Sequence, residues 1–214
     1  MQVTLKAAAT LDGKIATAQG ESRWITGAVA REAGHHMRHQ HEAILVGIGT
    51  ALADDPALDT RGVPGGRSPI RVVLDSRGQL PLQAQMLRND GIPVWVFQGC
   101  HAPERDWPVR PLLKRFRAPS ERPEVPWVLE QLERQGVNSV LVEGGASVHA
   151  SFIRSGCVNT LKLFLAPKVI RGQGALSWCG DWGCAGLSES HQWQIESIEM
   201  LGEDLLVTVR FRGF

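Results

Sequence analysis

The protein has 214 residues, of which 23 are Lys or Arg and 22 are Asp or Glu, and this gives a formal charge of +1 at pH 7. The length suits a single domain over residues 1–214, and the balanced charge excludes the basic field that recruits nucleic acid or a membrane surface. Four cysteines without a C-x-x-C pair, and a first segment unlike a signal peptide, predict a cytoplasmic protein with free thiols and a small-molecule partner.

The first predicted element is a short apolar strand over residues 3–9, followed by a tight turn at Asp12 and Gly13. Lys6 interrupts the apolar residues of this strand. Two interpretations are open. Lys6 either lies in water on an edge strand, or it is held in a partly desolvated position where its charge has a purpose.

A polar loop that contains Trp24 leads into a predicted helix over residues 27–40, with Thr26 as its N-cap. Four histidines, His35, His36, His39 and His41, lie on this helix or directly after it. His35 and His39 are four residues apart, which is the spacing of two metal ligands on one helix face, but no third ligand is spaced to complete a site. We therefore predict a solvated histidine face and no bound metal.

A continuous apolar run over residues 43–50 ends in spaced glycines, which is typical of a parallel strand buried on both faces. A short helical turn follows, and Pro56 cannot continue it. The G-x-G of this run lacks the third glycine and the later acidic residue of a Rossmann dinucleotide-binding fingerprint, so that interpretation is rejected.

Two more strands are predicted at residues 70–75 and 93–97. The first ends at the pair Ser76-Arg77, where a hydroxyl and a cation beside a turn suit either a phosphate group or plain solvent. The stretch 100–126 is rich in proline and charge, and it is predicted to be the least regular part of the chain. Its basic cluster at residues 114–117 is predicted to be solvated surface.

The most informative stretch is an apolar strand at residues 139–142 that follows a helix at 127–135 and stops at Glu143. The Gly144-Gly145 pair comes next, and a helix over 146–154 follows it. The first N–H groups of a helix have no internal partner and carry the positive end of its dipole, so this turn favours an anion such as a pyrophosphate. A glycine pair is also ordinary turn chemistry, so other motifs must decide.

The chain closes with a strand at residues 160–166 and two alternating stretches at 192–200 and 205–211, which predict a terminal antiparallel hairpin. The glycine-rich stretch 172–186 contains Cys179 and Cys184, whose spacing matches no metal site. Strands that alternate with helices before a closing hairpin predict an α/β fold, with a mostly parallel central sheet, helices on both faces and a C-terminal antiparallel hairpin.

Several segments, taken in chain order, indicate one protein family. They are Lys6–Ala16 (KAAATLDGKIA), Gly20–Thr26 (GESRWIT), Gly49–Leu58 (GTALADDPAL) with Arg61, the pair Asp75-Ser76, and Val142–Gly145 (VEGG). Together they resemble the pyrimidine reductases of riboflavin biosynthesis. That family has a dihydrofolate-reductase-like fold and reduces 5-amino-6-(5-phosphoribosylamino)uracil to its ribitylamino form with NADPH. The chain has no H-x-E motif with a downstream P-C-x-x-C, so the zinc deaminase domain that often accompanies this family is not expected.

The resemblance implies roles for particular residues. It places NADPH against Ala8, Trp24, Thr50, Asp54, Ser76 and the segment formed by Gly145, Ala146, Ser147, Val148 and His149. It places the substrate against Ser22, Arg38, Leu58, Arg61 and Glu143. Arginines can bind a ribose phosphate through paired N–H groups, and Ser76 with Arg77 would hold a 2′-phosphate that favours NADPH over NADH.

This chemistry needs no metal, because NADPH supplies the hydride while the protein supplies orientation and a proton. We expect Lys6 to polarise or protonate the heteroatom beside C1′ of the opened sugar. Glu143 and Asp54 are expected to hold the pyrimidine edge and the cofactor carboxamide or ribitol hydroxyls. Lys6, Asp54 and Glu143 are therefore the candidate catalytic residues.

Two other functions compete with this one. A folate-type reductase of the same fold would use Glu32 as its acid. The presence of Arg61 as a second substrate arginine beside Arg38, and the Gly144-Gly145 turn after Glu143, argue against it. A nucleotide-binding accessory module without turnover is disfavoured because Lys6, Asp54 and Glu143 are all present. The family also implies a homodimer, for which the strand at 160–166 or the terminal hairpin would provide an edge for pairing.

Overall fold

The computed structural model describes residues 1–107, 110–180, 183 and 186–212 of the chain. The strands are β1 (Gln2–Thr10), β2 (Lys14–Ala16), β3 (Ala43–Gly47), β4 (Ile70–Leu74), β5 (Val94–Gln98), β6 (Leu113–Arg117), β7 (Ser139–Val142), β8 (Thr160–Ala166), β9 (Leu176–Ser177), β10 (Trp193–Leu201) and β11 (Asp204–Phe211). The helices are α1 (Ala28–Gln40), α2 (Ile48–Asp54), α3 (Val125–Arg134) and α4 (Ala146–Arg154). None of the helices in the described ranges combines the length and the apolar character needed to span a bilayer.

The chain forms two compact units. The first unit contains Met1 and His35–Gly144, and it holds five parallel strands in the order β7-β3-β4-β5-β6. The second unit contains Gln2–Gly34 and the described residues from Gly145 onward. Its strands β1 and β8 are parallel, while β11 pairs antiparallel with both β8 and β10. That the whole chain acts as one domain stays a prediction.

The first unit is organised by strands that are apolar on both faces. All residues of β3 and β5 are buried, as a parallel strand covered on two sides requires. Ile44, Val73 and Val96 pack in one cluster with side chains from outside the sheet, including Leu58 and Leu80. Each such aliphatic side chain contributes roughly 1.5–3 kcal/mol when it is fully buried. This core packs against β3 and β4, whose carboxyl ends precede Thr50 and Ser76.

The predicted fold class is confirmed. The sheet strands are mostly parallel, and β10 and β11 form the antiparallel C-terminal hairpin. Helix α1 starts one residue later than predicted, because the Gly27 carbonyl accepts the first helical bond from the N–H of Arg31. Thr26 is therefore not the N-cap. Helix α3 starts two residues earlier than predicted, and Pro126 fits its first turn because that position needs no N–H donor.

The prediction of an irregular stretch over residues 100–126 is wrong at β6. This strand pairs with β5 and carries exposed charges that hide its strand pattern. Arg115 and Arg117 both form ion pairs with Glu104, and Lys114 donates to the side chain of Gln135. The basic cluster is therefore solvated surface, as predicted, but it lies on a strand. Charges along the outer strand of a sheet also discourage pairing with another chain.

The cysteines that the structure describes are free thiols, as predicted. Cys100, Cys157 and Cys179 have no disulfide partner among the described residues, and Cys184 lies outside those residues. Burial raises the pKa of the Cys179 thiol to about 11. This thiol therefore stays protonated and poorly nucleophilic at neutral pH.

Candidate active site

Glu143 and Arg38 form a two-pronged ion pair in the first unit. Nε of Arg38 donates to Oε1 of Glu143 at 2.8 Å, and Nη2 donates to Oε2 at 2.8 Å. Glu143 directly follows β7, and its N–H donates to the carbonyl of Leu45, so its backbone continues the strand ladder. Burial lowers the pKa of Arg38, but the charge and hydrogen bonds of Glu143 outweigh this and raise it. Two predicted substrate residues thus bind each other, and the pair orients the carboxylate.

Asp59 joins this pair to Arg61, and the sequence analysis did not identify it. Its carbonyl accepts from Nη1 of Arg38 at 3.0 Å. Its carboxylate accepts from Nη2 of Arg88 at 2.7 Å, and Nε of Arg61 lies 3.1 Å from Oδ1 as an ion pair outside hydrogen-bond geometry. Burial alone would raise the pKa of Asp59, but the bond from Arg88 and the charges of Arg61 and Arg88 lower it. Asp59 is therefore ionised near neutral pH.

The predicted solvated histidine face is wrong for His35, His39 and His41. Nδ1 of His35 accepts from the N–H of Arg61 at 3.1 Å, and Nδ1 of His39 accepts from the N–H of Arg67 at 2.9 Å. His41 is buried, with Nδ1 2.7 Å from the carbonyl of Met37. Burial and the charges of Arg38 and Arg61 lower the pKa of His35, which keeps its ring neutral and able to accept. The rings of His35 and His39 therefore attach the loop that contains Arg61 and Arg67 to α1, and the His41 ring contacts the backbone at the end of α1.

The sequence analysis predicted that the protein binds no metal, and this stays a prediction. Across the part of the chain that the structure describes, no group of three or more His, Cys, Asp or Glu side chains is arranged to hold a metal ion. The two histidines with metal-ligand spacing use Nδ1 for backbone hydrogen bonds, as described above.

The side chain of Leu58, a predicted substrate residue, is buried in the core and does not face a ligand. Its side chain is 2% exposed and belongs to the core cluster of the first unit. Its φ of 50° lies in the left-handed region, which is unusual for a bulky residue, and Asp55 three residues earlier also has a positive φ of 39°. Such conformations cost about 1–3 kcal/mol each and persist only where the surroundings enforce them. The buried Leu58 side chain therefore fixes the loop from which Asp59 and Arg61 project.

Thr50 and Asp54 lie on α2, at its first turn and its last residue, and both are half-buried. No side chain caps the start of this helix, where Gly47 is the N-cap. Gly49 is exposed, and a Cβ added there would meet nothing within 4 Å. Nothing in the protein's own packing therefore requires glycine at position 49, whereas a group that approached the helix backbone closely would require it.

Ser76 and Arg77 form the tip of a tight turn after β4. The N–H of Gly78 donates to the carbonyl of Asp75 at 3.2 Å, and the φ of 68° at Gly78 suits glycine. The Asp75 carboxylate is buried and accepts the next two backbone N–H groups at 2.8 and 2.9 Å. Because β3 and β4 are neighbours, this turn and the start of α2 follow adjacent strand ends. The structure thus brings predicted cofactor residues Thr50 and Ser76 to one edge of the first unit.

In the second unit, Lys6 is half-buried on β1. Its Nζ lies 5.4 Å from the ring centre of Phe164, which is 1% exposed. A Cβ added to Gly34 of α1 would come within 4.0 Å of Lys6 Cε and Nζ, so a helix position without a side chain lies beside this lysine. The interpretation that Lys6 extends into water is therefore wrong. Ala8 lies two residues further along β1 and is also half-buried.

The loop with Trp24 is held by two cations. The indole is 63% exposed, and the guanidinium of Arg31 lies 4.5 Å from its ring centre. Nζ of Lys168 donates to the carbonyls of Trp24 at 2.9 Å and Ile25 at 2.7 Å. Ser22, in the same loop, is half-buried. The loop therefore presents a large flat aromatic surface in a fixed position.

The predicted helix after the glycine pair is present as α4 in the second unit. Gly145 is the N-cap, with φ 44° and no side-chain cap, and its carbonyl accepts from the N–H groups of Val148 and His149 at 3.1 Å each. The N–H groups of Ala146 and Ser147 precede the first intrahelical bonds, so no carbonyl of the helix accepts from them. The His149 ring is 3% exposed and lies 2.6 Å from the Trp178 carbonyl through Nδ1. The His149 ring is therefore held inside this unit, and its N–H is used within the helix.

The predicted site residues divide between the two units. The first unit groups Arg38, Leu58, Arg61 and Glu143 around one network, and it also holds Thr50, Asp54 and Ser76. The second unit holds Lys6, Ala8, Ser22, Trp24 and the segment Gly145–His149.

The fold and these residues define a protein of the dihydrofolate-reductase-like fold class. The chain belongs to the RibD C-terminal domain family, whose sequence model matches residues 1–207.

Similar proteins include the riboflavin biosynthesis protein RibD of Bacillus amyloliquefaciens, which is 39% identical over 208 residues that cover 96% of this chain and 56% of that protein. The chain is 33% identical to the 2,5-diamino-6-ribosylamino-4(3H)-pyrimidinone 5′-phosphate reductase of Methanothermobacter thermautotrophicus, over 99% of its own length and 98% of the relative. A crystal structure of a diaminohydroxyphosphoribosylaminopyrimidine deaminase/5-amino-6-(5-phosphoribosylamino)uracil reductase from Thermotoga maritima matches with a TM-score of 0.83 and 31% identity, over 98% of this chain and 56% of that one. The chain thus spans about half the length of its bacterial RibD relatives.

Proposed function

We propose that the protein is an NADPH-dependent reductase that converts the ribosyl group of 5-amino-6-(5-phosphoribosylamino)uracil to a ribityl group. The family and the reductase names of its relatives support a place among the reductases of riboflavin biosynthesis. The observation that carries the proposal is the Glu143 carboxylate, which Arg38 holds at the end of β7 immediately before the glycine turn.

The network around Glu143 suits a substrate with pyrimidine N–H groups and a phosphate. A fixed carboxylate accepts hydrogen bonds from ring N–H groups, and Arg61, whose side chain is 69% exposed, offers a guanidinium to a phosphate. Ion pairs extend this network to Arg71 and Asp90. It then contains four arginines and three carboxylates, which leaves one excess positive charge: Arg38, Arg61, Arg71 and Arg88 with Glu143, Asp59 and Asp90. This excess favours a ligand that carries an anionic group.

The residues fit a nicotinamide dinucleotide on physical grounds. The start of α4 follows a glycine pair and has no side-chain cap, and an uncapped helix start attracts phosphate. Thr50, Asp54 and Ser76 with Arg77 are the candidate cofactor residues of the first unit, and Ala8, Trp24 and Gly145–His149 are those that the family resemblance assigns in the second. When bound, NADPH supplies the hydride.

In this proposal Lys6 supplies charge and a proton at the heteroatom beside C1′. A half-buried ammonium next to an aromatic ring is partly desolvated, so it stabilises developing negative charge more strongly than a lysine in water does. Glu143 holds the pyrimidine edge, and Asp54 holds cofactor or ribitol hydroxyls.

A second substrate has specific support. The chain matches nearly the whole length of an archaeal relative whose name gives a 2,5-diaminopyrimidinone as substrate. This base differs from the uracil at C2, and Glu143 can accept N–H groups from either ring. We therefore propose the diaminopyrimidinone as the alternative substrate of the same reductase reaction.

The deciding experiment follows NADPH oxidation by absorbance with each of the two phosphoribosyl pyrimidines, beside dihydrofolate and with NADH in parallel. We expect turnover with one of the pyrimidines, none with dihydrofolate, and no loss of rate on addition of EDTA. Turnover of dihydrofolate alone would establish the folate-type alternative. Binding of NADPH without turnover of any substrate would establish the accessory module.

We also propose a homodimer formed through the terminal hairpin. Ile195, Ile198 and Met200 of β10 are 59%, 59% and 64% exposed, and they pair across the hairpin with Val209, Val207 and Leu205. The opposed residues lie on the same face of the hairpin, so this face is apolar. Pairing through residues 160–166 is wrong, because β8 already has β1 on one side and β11 on the other. The cytoplasmic location stays a prediction.

A further inference from the structure

We infer that Asp59 is a positioning residue that sets Arg61 to receive the phosphate group of the substrate. The inference rests on the proposed function, because it concerns the phosphate end of the proposed substrate. Asp59 does not itself touch the reacting atoms in this account. It acts through Arg61.

The first step of the argument is the position of Asp59 beside Glu143. Its carbonyl accepts from the same Arg38 guanidinium that holds the Glu143 carboxylate. Its carboxylate, one side chain away, pairs with Nε of Arg61 at 3.1 Å. One residue therefore fixes both the arginine that orients Glu143 and the arginine proposed to bind phosphate, so the spacing of the two ligand-facing groups depends on it.

The second step concerns the side of the Arg61 guanidinium that is used. A guanidinium donates from two edges, and the Asp59 carboxylate lies 3.1 Å from Nε, on one of these edges, as an ion pair without a hydrogen bond. The opposite edge, formed by Nη1 and Nη2, has the fork geometry that matches two phosphate oxygens. Arg61 is 69% exposed, and a long exposed side chain without such a partner would sample many rotamers. The ion pair with Asp59 therefore limits the rotamers of Arg61 and keeps the Nη1–Nη2 edge on the side away from Asp59.

The third step is that Asp59 is itself anchored to the core. Nη2 of Arg88 donates to Asp59, and the same guanidinium pairs with Asp90. Asp90 accepts two bonds from Arg71, which is 0% exposed and also donates to the Met86 carbonyl. The alternating charges form a continuous line from a buried arginine to Arg61. These ion pairs connect the Asp59 carboxylate to the core, so its position does not depend on its own loop alone.

The backbone of the same segment is held by independent contacts. The N–H of Arg61 donates to Nδ1 of His35, and Leu58 fills the core with its φ in the left-handed region. Removal of the Asp59 charge should therefore leave the loop in place while it releases the Arg61 side chain. This separation makes the inference testable without unfolding the site.

The test compares Asp59→Asn with wild type on the phosphorylated substrate and on its dephosphorylated nucleoside, and it measures ribose 5-phosphate binding by calorimetry. Asparagine keeps the size and the backbone carbonyl but loses the charge. We expect KM for the phosphorylated substrate and Kd for ribose 5-phosphate to rise about 5- to 10-fold, with kcat within about twofold and KM for the nucleoside unchanged. Arg61→Ala should have the same selectivity, and the double variant should be no worse than Arg61→Ala alone.

The matched control is Asp55→Asn. Asp55 belongs to the same loop, but its Oδ1 accepts from the backbone N–H of Gln85 at 2.8 Å. This control should change neither KM nor Kd, and thermal unfolding of all variants checks that the fold is intact. Equal losses with the phosphorylated and the dephosphorylated substrate, or additive effects of Asp59→Asn and Arg61→Ala, would overturn the inference.

The calorimetric arm separates this inference from the proposed function. If the wild type binds ribose 5-phosphate in an Asp59-dependent manner but reduces neither pyrimidine, the proposed function fails and the inference stands. If the wild type turns over substrate but Asp59→Asn binds ribose 5-phosphate as tightly as wild type, the inference fails and the proposed function stands. A wild type that binds no ribose 5-phosphate contradicts the inference.

Discussion

Arg38 binds the Glu143 carboxylate in a bidentate manner, with two parallel hydrogen bonds of 2.8 Å. Its remaining terminal nitrogen donates to the carbonyl of Asp59. The side chains are 17% and 10% exposed, so the pair is largely shielded from water. The resemblance to pyrimidine reductases assigned Arg38 to the substrate. Its geometry instead favours a role through Glu143, because most of its donors already serve the protein.

A double-mutant cycle on Arg38 and Glu143 tests this role. Arg38→Lys retains the charge but loses the two parallel bonds, so KM for the substrate should rise about 10-fold. Glu143→Gln replaces an acceptor oxygen with a donor and should cost ~1–3 kcal/mol of substrate binding. In both variants KM should rise more than kcat falls. The double variant should lose less than the sum, with a coupling of at least ~1 kcal/mol from steady-state kinetics. Additive losses would show that Arg38 binds the substrate independently.

The control for this cycle is Arg134→Lys. Arg134 pairs with Glu130 at 2.6 Å on the surface of α3, where both side chains are more than half exposed. An exposed pair of this kind contributes ~0–1 kcal/mol, so KM and kcat should not change.

Lys6→Ala should lower kcat by ~10²-fold or more while substrate and NADPH binding change little, because its charge is needed chiefly as negative charge develops in the reaction. Single-turnover kinetics with fluorescence titration of NADPH measure the two effects. Lys162→Ala is the matched control, since Lys162 pairs with Lys6 in strand register but lies near the Thr208 hydroxyl at 3.5 Å. A Lys6→Ala variant with nearly full kcat would assign the proton donor elsewhere.

Arg77 should determine the preference for NADPH over NADH. It is exposed at the tip of the turn after β4, beside Ser76, where a 2′-phosphate would find a cation and a hydroxyl. Arg77→Ala should raise KM for NADPH about 10-fold and leave KM for NADH unchanged in steady-state assays. Arg122→Ala, another exposed arginine of the first unit, should affect neither. Equal efficiency of the wild type with both cofactors would remove the basis for this prediction.

The proposed dimer gives a fourth expectation. A charge placed at Ile198 would lie in the middle of the apolar hairpin face, so Ile198→Lys should shift the mass in light scattering from dimer to monomer at micromolar concentration. Gln194→Lys, also on β10 and exposed, should leave the mass unchanged. A monomeric wild type would refute the homodimer.

The sequence predicted the elements that are governed by local rules. The three residues before Glu143 are apolar and two of them are β-branched valines, and the glycine after Glu143 stops the run, so β7, the turn and α4 followed directly. Strand β6 was missed because three of its five residues are basic, and charges on an outer strand resemble a solvated loop.

Asp59 was missed for a different reason. Its partner Arg88 is 29 residues away, and the loop is held by His35, 26 residues before Arg61. Neither spacing has a periodic signature, and a single Asp beside an Arg is common in surface loops. The same applies to His35 and His39, because whether a half-buried ring accepts a backbone N–H depends on where a distant loop passes. The charge network of the first unit therefore depends on tertiary structure.

The last prediction concerns stability at acid pH and the pair formed by Asp90 and the buried Arg71. Burial would raise the pKa of Asp90, but the bonds from Arg71 and Arg88 lower it to about 2, compared with the ordinary value of 3.8. Because the folded pKa lies below the unfolded one, Asp90 stabilises the fold fully above pH ~4, and this stabilisation is lost as the pH falls toward 2. The Asp90 carboxylate is partly exposed, so we expect ~1 kcal/mol from this titration after solvent screening.

Urea unfolding of wild type and Asp90→Asn between pH 7 and pH 2 measures this contribution. At pH 7 the variant should be less stable by ~3 kcal/mol, because Arg71 would keep its buried charge without a carboxylate partner. The difference between the two proteins should shrink below pH 4. The pKa of Asp12 is also lowered to about 2, chiefly by the Thr10 hydroxyl, but Asp12 titrates in both proteins and cancels in the difference. Glu130→Gln, at an exposed ion pair, should lose almost nothing at any pH. A constant difference from pH 7 to pH 2 would mean that Asp90 stabilises the protein through its shape and not through its charge.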